Sequence, residues 1–290
     1  MNTFPEKLLP QGGGQRVRPL VMAILNITPD SFSDGGELFS SGKPDLDTVL
    51  YRAEQVVEEG ADVFDIGGES TRPRAAPVSS EQECERVLPV FTALKKHFDL
   101  PISVDTSNPV LMVEAGRAGA AMINDVRALE RDGAIEAVAS SDMAVCLMHM
   151  QGQPSTMQLS PEYENVTDEV SAYLQSRLQA CEAAGIKAER VVLDPGFGFG
   201  KTLAHNIHLF NHIEHFVSLD CPVLIGVSRK SMIGSILSKG DSIRPEKERV
   251  VGGVALALIA AQKGAAIIRT HDVLATCDAL DVLTALSQKQ

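Results

Sequence analysis

Eight short apolar bursts, rich in β-branched residues, recur along this chain with amphipathic stretches between them. That rhythm restricts the fold more than any other feature. The bursts span residues 21–25, 63–66, 102–104, 121–123, 144–148, 191–193, 223–227 and 266–268. Continuous apolar runs without polar alternation suit parallel strands covered on both faces. Between the bursts, Leu46, Val49, Ala53, Val56 and Val57 fall on one face of a helix, as do Cys84, Val87, Leu88, Phe91 and Leu94. Ser80-Glu81-Gln82-Glu83 has the Ser-x-x-Glu form of a capping box and predicts a helix start. Longer helices are predicted over 163–184, 246–263 and 273–286. Gly60-Ala61, Gly119-Ala120 and Gly264-Ala265 each precede a burst, where a glycine is the expected left-handed helix cap.

The pattern predicts an α/β chain folded as a (β/α)8 TIM barrel, which suits a length of 290 residues. No break in composition divides it. The expected organisation is therefore one domain over 20–290, preceded by an N-terminal extension over 1–19. An open doubly wound sheet would need a phosphate-binding Gly-rich turn after an early strand. The first burst runs instead into Asn26-Ile27-Thr28-Pro29-Asp30. Residues 196–202 resemble a P-loop only at a glance, because the first required glycine falls on Pro195.

Polar residues cluster where the predicted strands end: Asn26, Asp65, Asp105, Asn124, His149, Asp194, Arg229 with Lys230, and Arg269 with His271. Any one of them reads as a helix cap. Eight such ends converge on one mouth in a barrel, which is where active sites form. Asp105, Asn124 and Asp194 can face a flat heterocycle with N–H donors along one edge. Arg72, Lys230, Arg269 and His271 can hold oxyanions. Loops over 28–42 and 67–79 are long, which points to function or mobility.

Net charge is −12, which makes the chain a poor partner for nucleic acid or an anionic membrane. No run of 18 apolar residues occurs and the N-terminus has no signal-peptide pattern, so a cytoplasmic protein is expected. Five widely spaced cysteines without Cys-x-x-Cys read as reduced thiols. His205, His208, His212 and His215 have a spacing that suits zinc, but a solvated helix face explains them better.

The sequence also carries a resemblance. Asn26-Ile27-Thr28-Pro29-Asp30-Ser31-Phe32-Ser33-Asp34-Gly35-Gly36 and Asp65-Ile66-Gly67-Gly68-Glu69-Ser70-Thr71-Arg72-Pro73 resemble two signatures of the dihydropteroate synthases. Further similar segments are Ser103–Thr106, Ile123–Asp125, Leu147–Met150, Leu193–Lys201, Ser228–Ser231 and Ile268–Asp272. They cover nearly the whole chain. The resemblance implies a transferase that joins 6-hydroxymethyl-7,8-dihydropterin diphosphate to p-aminobenzoate, giving 7,8-dihydropteroate and pyrophosphate in folate synthesis. It implies pterin contacts at Asp105, Asn124, Asp194, Lys230 and Arg269, with Met148, Phe199 and Gly226 lining that pocket. Asn26 would touch Mg²⁺ near the diphosphate, which Arg269, His271, Thr71 and Arg72 would also hold. Thr71, Arg72 and Pro73 in one loop, Phe32 in another, and Ser231 would receive p-aminobenzoate. Arg72, Asp105, Lys230, Arg269 and His271 would carry the chemistry. The resemblance also implies a homodimer and a target for sulfonamides. The competing expectations are a methyltetrahydrofolate-dependent methyltransferase barrel, which would lack the Ser-Thr-Arg-Pro loop and the Arg-x-His site, and a non-catalytic pterin-binding paralogue.

Overall fold

A computed structural model describes residues 4, 18–28, 39–40, 43–70, 78–153, 156–239 and 242–287. The bursts are strands: β1 Leu20–Asn26, β2 Val63–Gly67, β3 Ile102–Asp105, β4 Met122–Asp125, β5 Ala144–Met148, β6 Val191–Asp194, β7 Leu224–Ile225 and β8 Ile267–Thr270. All pair in parallel, in the order β6-β5-β4-β3-β2-β1-β8-β7. A parallel bridge between Leu193 and Val223 closes the ring, with the Leu193 N–H donating to the Pro222 carbonyl at 2.9 Å. The expected TIM barrel is present. A two-stranded hairpin, Phe39–Ser40 with Lys43–Pro44, lies outside it.

The α-helices that lie wholly among the described residues are α1 Leu46–Glu58, α2 Ser80–His97, α3 Pro109–Ala118, α4 Ala134–Ala139, α5 Val166–Ala183, α6 Leu203–Asn211, α7 Ile213–Val217, α8 Ser231–Ile236, α9 Val250–Gln262 and α10 Val273–Ser287. Glycines at 60, 119 and 264 adopt φ of 97°, 88° and 95°, as a left-handed cap requires. In each case the following alanine N–H reaches back five residues to a helix carbonyl, which satisfies a terminal acceptor: Ala61 to Val56, Ala120 to Ala115 and Ala265 to Ala260.

Two expectations shift. The capping box of α2 is Ser79 with Gln82, one residue before Ser80 with Glu83. Glu83 is turned inward, where it accepts a 2.7 Å bond from Thr106 Oγ1. The helix expected over 246–263 divides at Arg249, whose guanidinium is drawn to the Arg244 and Arg229 carbonyls, both at 2.8 Å.

Strand residues alternate between two cores, as period-two geometry demands. Val21, Ala23, Leu25, Phe64, Ile66, Val104, Ile123, Val145 and Leu193 face the helices. Met22, Val63, Met122, Ala144, Cys146, Val192, Leu224 and Ile267 fill the barrel's lower interior, and Phe4 from the chain's start packs with them. Above that plug the inward positions turn polar. The barrel is thus dry at its base and charged at its mouth.

Candidate active site

The register builds the mouth in layers. Asn26 lies beside Gly67, Gly67 beside Asp105 and Asp105 beside Asn124, so four adjacent strands contribute to one rim. Met148 lies beside Asp194 on the opposite arc. Two residues lower on β2 sits Asp65, level with Ser103.

Arg269 on β8 joins these layers. Its Nε donates to Asp65 Oδ2 at 2.6 Å and its Nη2 to Asp105 Oδ2 at 2.8 Å. Asn124 Nδ2 donates to the same Asp65 oxygen at 3.2 Å. The Asp65 side chain has no solvent exposure, whereas Asp105 and Arg269 keep about a fifth of theirs. Burial alone would lower the Arg269 pKa, but Asp65 and Asp105 reverse that and raise it, so the guanidinium stays charged. Asp105 is pushed up to about 7 by burial, against the pull of Arg269 and with the push of Asp65. Burial also raises Asp194, with Lys230 opposing.

Lys230 follows β7. Its ammonium donates to the Phe197 carbonyl and stands 4.7 Å above the centre of the Phe199 ring. Burial brings it down to about 8, against the attraction of Asp194. Gly226 is buried beneath the Arg269 stem, where an added Cβ would stand 3.8 Å from Arg269 Cβ. Ser231 opens α8 directly after Lys230. His271 is oriented through Ser228, whose hydroxyl lies 3.1 Å from His271 Nδ1 and accepts from the His271 N–H at 3.1 Å.

Several residues at strand ends serve the framework instead. Arg229, in the left-handed region at φ 56°, is tied to Asp272 by a 2.5 Å ion pair. His149 is buried, packs edge-on to Tyr173, and has Nδ1 2.9 Å from Lys201 Nζ. Burial and then Lys201 push it down to about 3, so it is neutral near pH 7. Lys201 also donates to the Gly196 carbonyl at 2.9 Å and the Phe199 carbonyl at 3.0 Å. This lysine braces the turn that carries Phe199, its buried ammonium directed at carbonyls of its own turn and at His149. Gly196, Gly198 and Gly200 all have positive φ there. An added Cβ on Gly196 would collide with the His149 carbonyl.

Among the described residues, no group of three His, Cys, Asp or Glu side chains could hold a metal ion. His208 and His212 stack on an exposed helix face, and His205 belongs to the cap of α6. Phe32, Thr71, Arg72 and Pro73 lie outside the described residues. The carboxylate that links Arg269 to Asn124 is the principal feature underrated in the sequence. Its signal was present, since Asp65 interrupts an apolar strand and a buried charge needs a partner. The partner stands 204 residues away.

The fold and its mouth define a class: a (β/α)8 barrel that gathers acids, an amide and cations at one opening. Comparison with known proteins narrows it. A family model described as pterin binding enzyme matches residues 22–271. The dihydropteroate synthase of Haemophilus influenzae is 51% identical over 267 residues, covering 92% of this chain and 94% of that protein. A Yersinia pestis dihydropteroate synthase structure with a sulfonamide drug complex superposes with a TM-score of 0.87 at 47% identity, covering 96% of this chain and 98% of the other. A Xanthomonas albilineans dihydropteroate synthase structure with 4-aminobenzoic acid gives 0.84 at 46% identity, with 94% of each chain covered. This chain belongs to the dihydropteroate synthases within the pterin-binding enzymes.

Proposed function

We propose that this protein is a transferase that condenses 6-hydroxymethyl-7,8-dihydropterin diphosphate with p-aminobenzoate, releasing 7,8-dihydropteroate and pyrophosphate. Family membership over nearly the whole chain supports the reaction. The observation that carries the site assignment is the convergence of Asp105, Asn124, Asp194, Lys230 and Arg269 on one barrel mouth. Asp105, Asn124 and Asp194 supply acceptors for the ring's N–H edge, and Lys230 supplies a donor. Met148, Phe199 and Gly226 give that ring its apolar surroundings.

The bond that breaks is the C–O bond between the methylene and the diphosphate, and its electron pair leaves with pyrophosphate. Arg269 and His271 favour the charge that gathers there, and Arg72 would add a further cation. The ring gains positive charge as the bond stretches. Asp105 and Asp194 attract that charge more strongly than the neutral ring, which is differential binding of the transition state. The amine lone pair then forms the C–N bond, and the nitrogen sheds its proton to solvent or product. Aromatic amines are neutral at pH 7, so positioning matters more here than a strong base. Ser231, Thr71, Arg72, Pro73 and Phe32 would hold p-aminobenzoate.

The one candidate metal contact among the described residues is the Asn26 amide oxygen, a hard donor at the rim. That fits Mg²⁺ carried by the diphosphate, an ion that keeps phosphate and water ligands, and does not fit an all-protein cage. When bound it would neutralise charge on the leaving group. A homodimer is supported by an uncovered apolar surface on adjoining helices: Val251 is 81% exposed on α9 and Val282 61% exposed on α10. No described helix is long and apolar enough to cross a membrane. Cytoplasmic residence and a p-aminobenzoate site that sulfonamides would target belong to the same family reading.

The test is to incubate the protein with the pterin diphosphate, with and without p-aminobenzoate, and to measure pyrophosphate and adduct. Equal amounts of both products are expected only with p-aminobenzoate present at adduct-forming concentration. No pyrophosphate release would favour a binding module, and release without an adduct would exclude the synthase.

A further inference from the structure

Asp65 does not reach the rim. Its side chain has no exposure, and it lies a layer below Asp105 and Asn124 in the barrel register. A single oxygen, Oδ2, accepts from both Arg269 Nε at 2.6 Å and Asn124 Nδ2 at 3.2 Å. The other oxygen, Oδ1, has no hydrogen-bond partner among the described residues. All of the pairing therefore runs through one atom that touches two of the residues assigned to substrate.

A carboxylate paired with a guanidinium only accepts hydrogen bonds. The end of Asn124 that faces Asp65 must then be the NH₂ group. The amide oxygen is left to point away from the lower layer, toward the mouth. An asparagine without such a neighbour can turn over and offer a donor there. With the neighbour, it offers an acceptor. Arg269 is constrained in a similar way, because fixing Nε leaves its terminal nitrogens for Asp105 and the anion.

We propose that Asp65 is a positioning residue of this active site: it sets the polarity of Asn124 and the aim of Arg269, and thereby makes the mouth select a ring edge that donates N–H groups. The inference rests on reading the mouth as a pterin diphosphate site. A ring with an acceptor where the pterin carries a donor would meet the Asn124 oxygen unfavourably, which turns a buried structural contact into a specificity filter.

An exchange of side chains tests it. Asp65→Asn, Asn124→Asp and the paired substitution are made in the full chain, and thermal melts establish that each is folded. Each is titrated calorimetrically with a 6-substituted pterin lacking the diphosphate. Each single change is expected to weaken binding about tenfold or more, since a charge-assisted bond is lost or two carboxylates are forced together. The pair should recover to within about threefold of the unsubstituted protein, because an amide at position 65 can donate to a carboxylate at position 124. In turnover, Asp65→Asn should raise the KM for pterin diphosphate and lower kcat, leaving the KM for p-aminobenzoate unchanged. Unaltered pterin affinity in Asp65→Asn, or a pair no tighter than the weaker single variant, overturns the proposal. A second measurement needs no variant. Two N–H groups that converge on one oxygen should give a nuclear Overhauser contact between Arg269 Hε and the Asn124 side-chain amide, and its absence in an assigned spectrum overturns the polarity. If the unsubstituted protein binds no pterin at all, the reading of the site fails, which is a different result from Asp65 proving indifferent.

Discussion

Asp105 and Lys230 lose most of their water on folding, and their proton affinities move toward each other. Asp105 rises to about 7 and Lys230 falls to about 8. If the carboxylate and the ammonium are the forms that hold the ring, Asp105 fails below its pKa by taking a proton, and Lys230 fails above its own by losing one. The pH profile of kcat/KM for the pterin diphosphate should therefore be a narrow bell centred between about 7 and 8. Lys230→Arg should remove the alkaline limb, and initial rates from about pH 5 to 10 check both statements. Asp194→Ala should abolish measurable pterin binding by calorimetry, and an unchanged affinity would remove Asp194 from the site. Much of this scale was legible in the sequence. Asp105, Asn124 and Asp194 announce themselves as polar residues that end apolar runs. The roles of His149 and Arg229 were not legible, because the same position serves either a substrate or the framework. Only the Lys201 and Asp272 contacts decide between them.

Between residues and fold stand the turns that carry them. The strand β6 leads into 196–200, where three glycines lie in the left-handed region and two of them, Gly196 and Gly200, let the chain pass against the backbone at His149 and Gln151. Gly196→Ala combines an unfavourable φ of 72° with a collision at the His149 carbonyl. It should destabilise the protein by about 2 kcal/mol or more, lowering Tm by about 4–8 °C. It should also raise the KM for the pterin substrate, because Phe199 rides on the same turn. Differential scanning calorimetry with steady-state kinetics measures both effects. Elements were the most readable level of the chain. Apolar runs marked all eight strands, since a strand covered on both faces has no polar side. Boundaries were less readable. Ser79 and Ser80 are both competent caps, and the choice falls to Ser79 because Glu83 faces inward to Thr106. The strand expected over 223–227 forms a ladder only at Leu224–Ile225, with Val223 bridging to Leu193, and it stops short of 227 because the chain turns, with the Lys230 N–H bonded to the Val227 carbonyl at 3.1 Å.

At the scale of the whole molecule, closing a parallel sheet into a ring brings residues from 26 to 271 to one opening, which linear spacing cannot display. The sequence supplied the eight ends, and the ring supplied their convergence. The outer surface has its own consequence. Val251 and Val282 expose apolar side chains on α9 and α10, and a charge there should break an association of two copies. Val251→Asp combined with Val282→Asp should shift sedimentation from dimer toward monomer at micromolar concentration, and an unshifted dimer would place the interface elsewhere. The central claim remains that one mouth holds a flat ring on its acids and a diphosphate on its cations. A crystal structure with 6-hydroxymethylpterin diphosphate bound measures that directly. The ring should lie among Asp105, Asn124 and Asp194, with the diphosphate toward Arg269 and His271. A ring seated away from those three side chains, or phosphates directed at Asp194, would contradict the account.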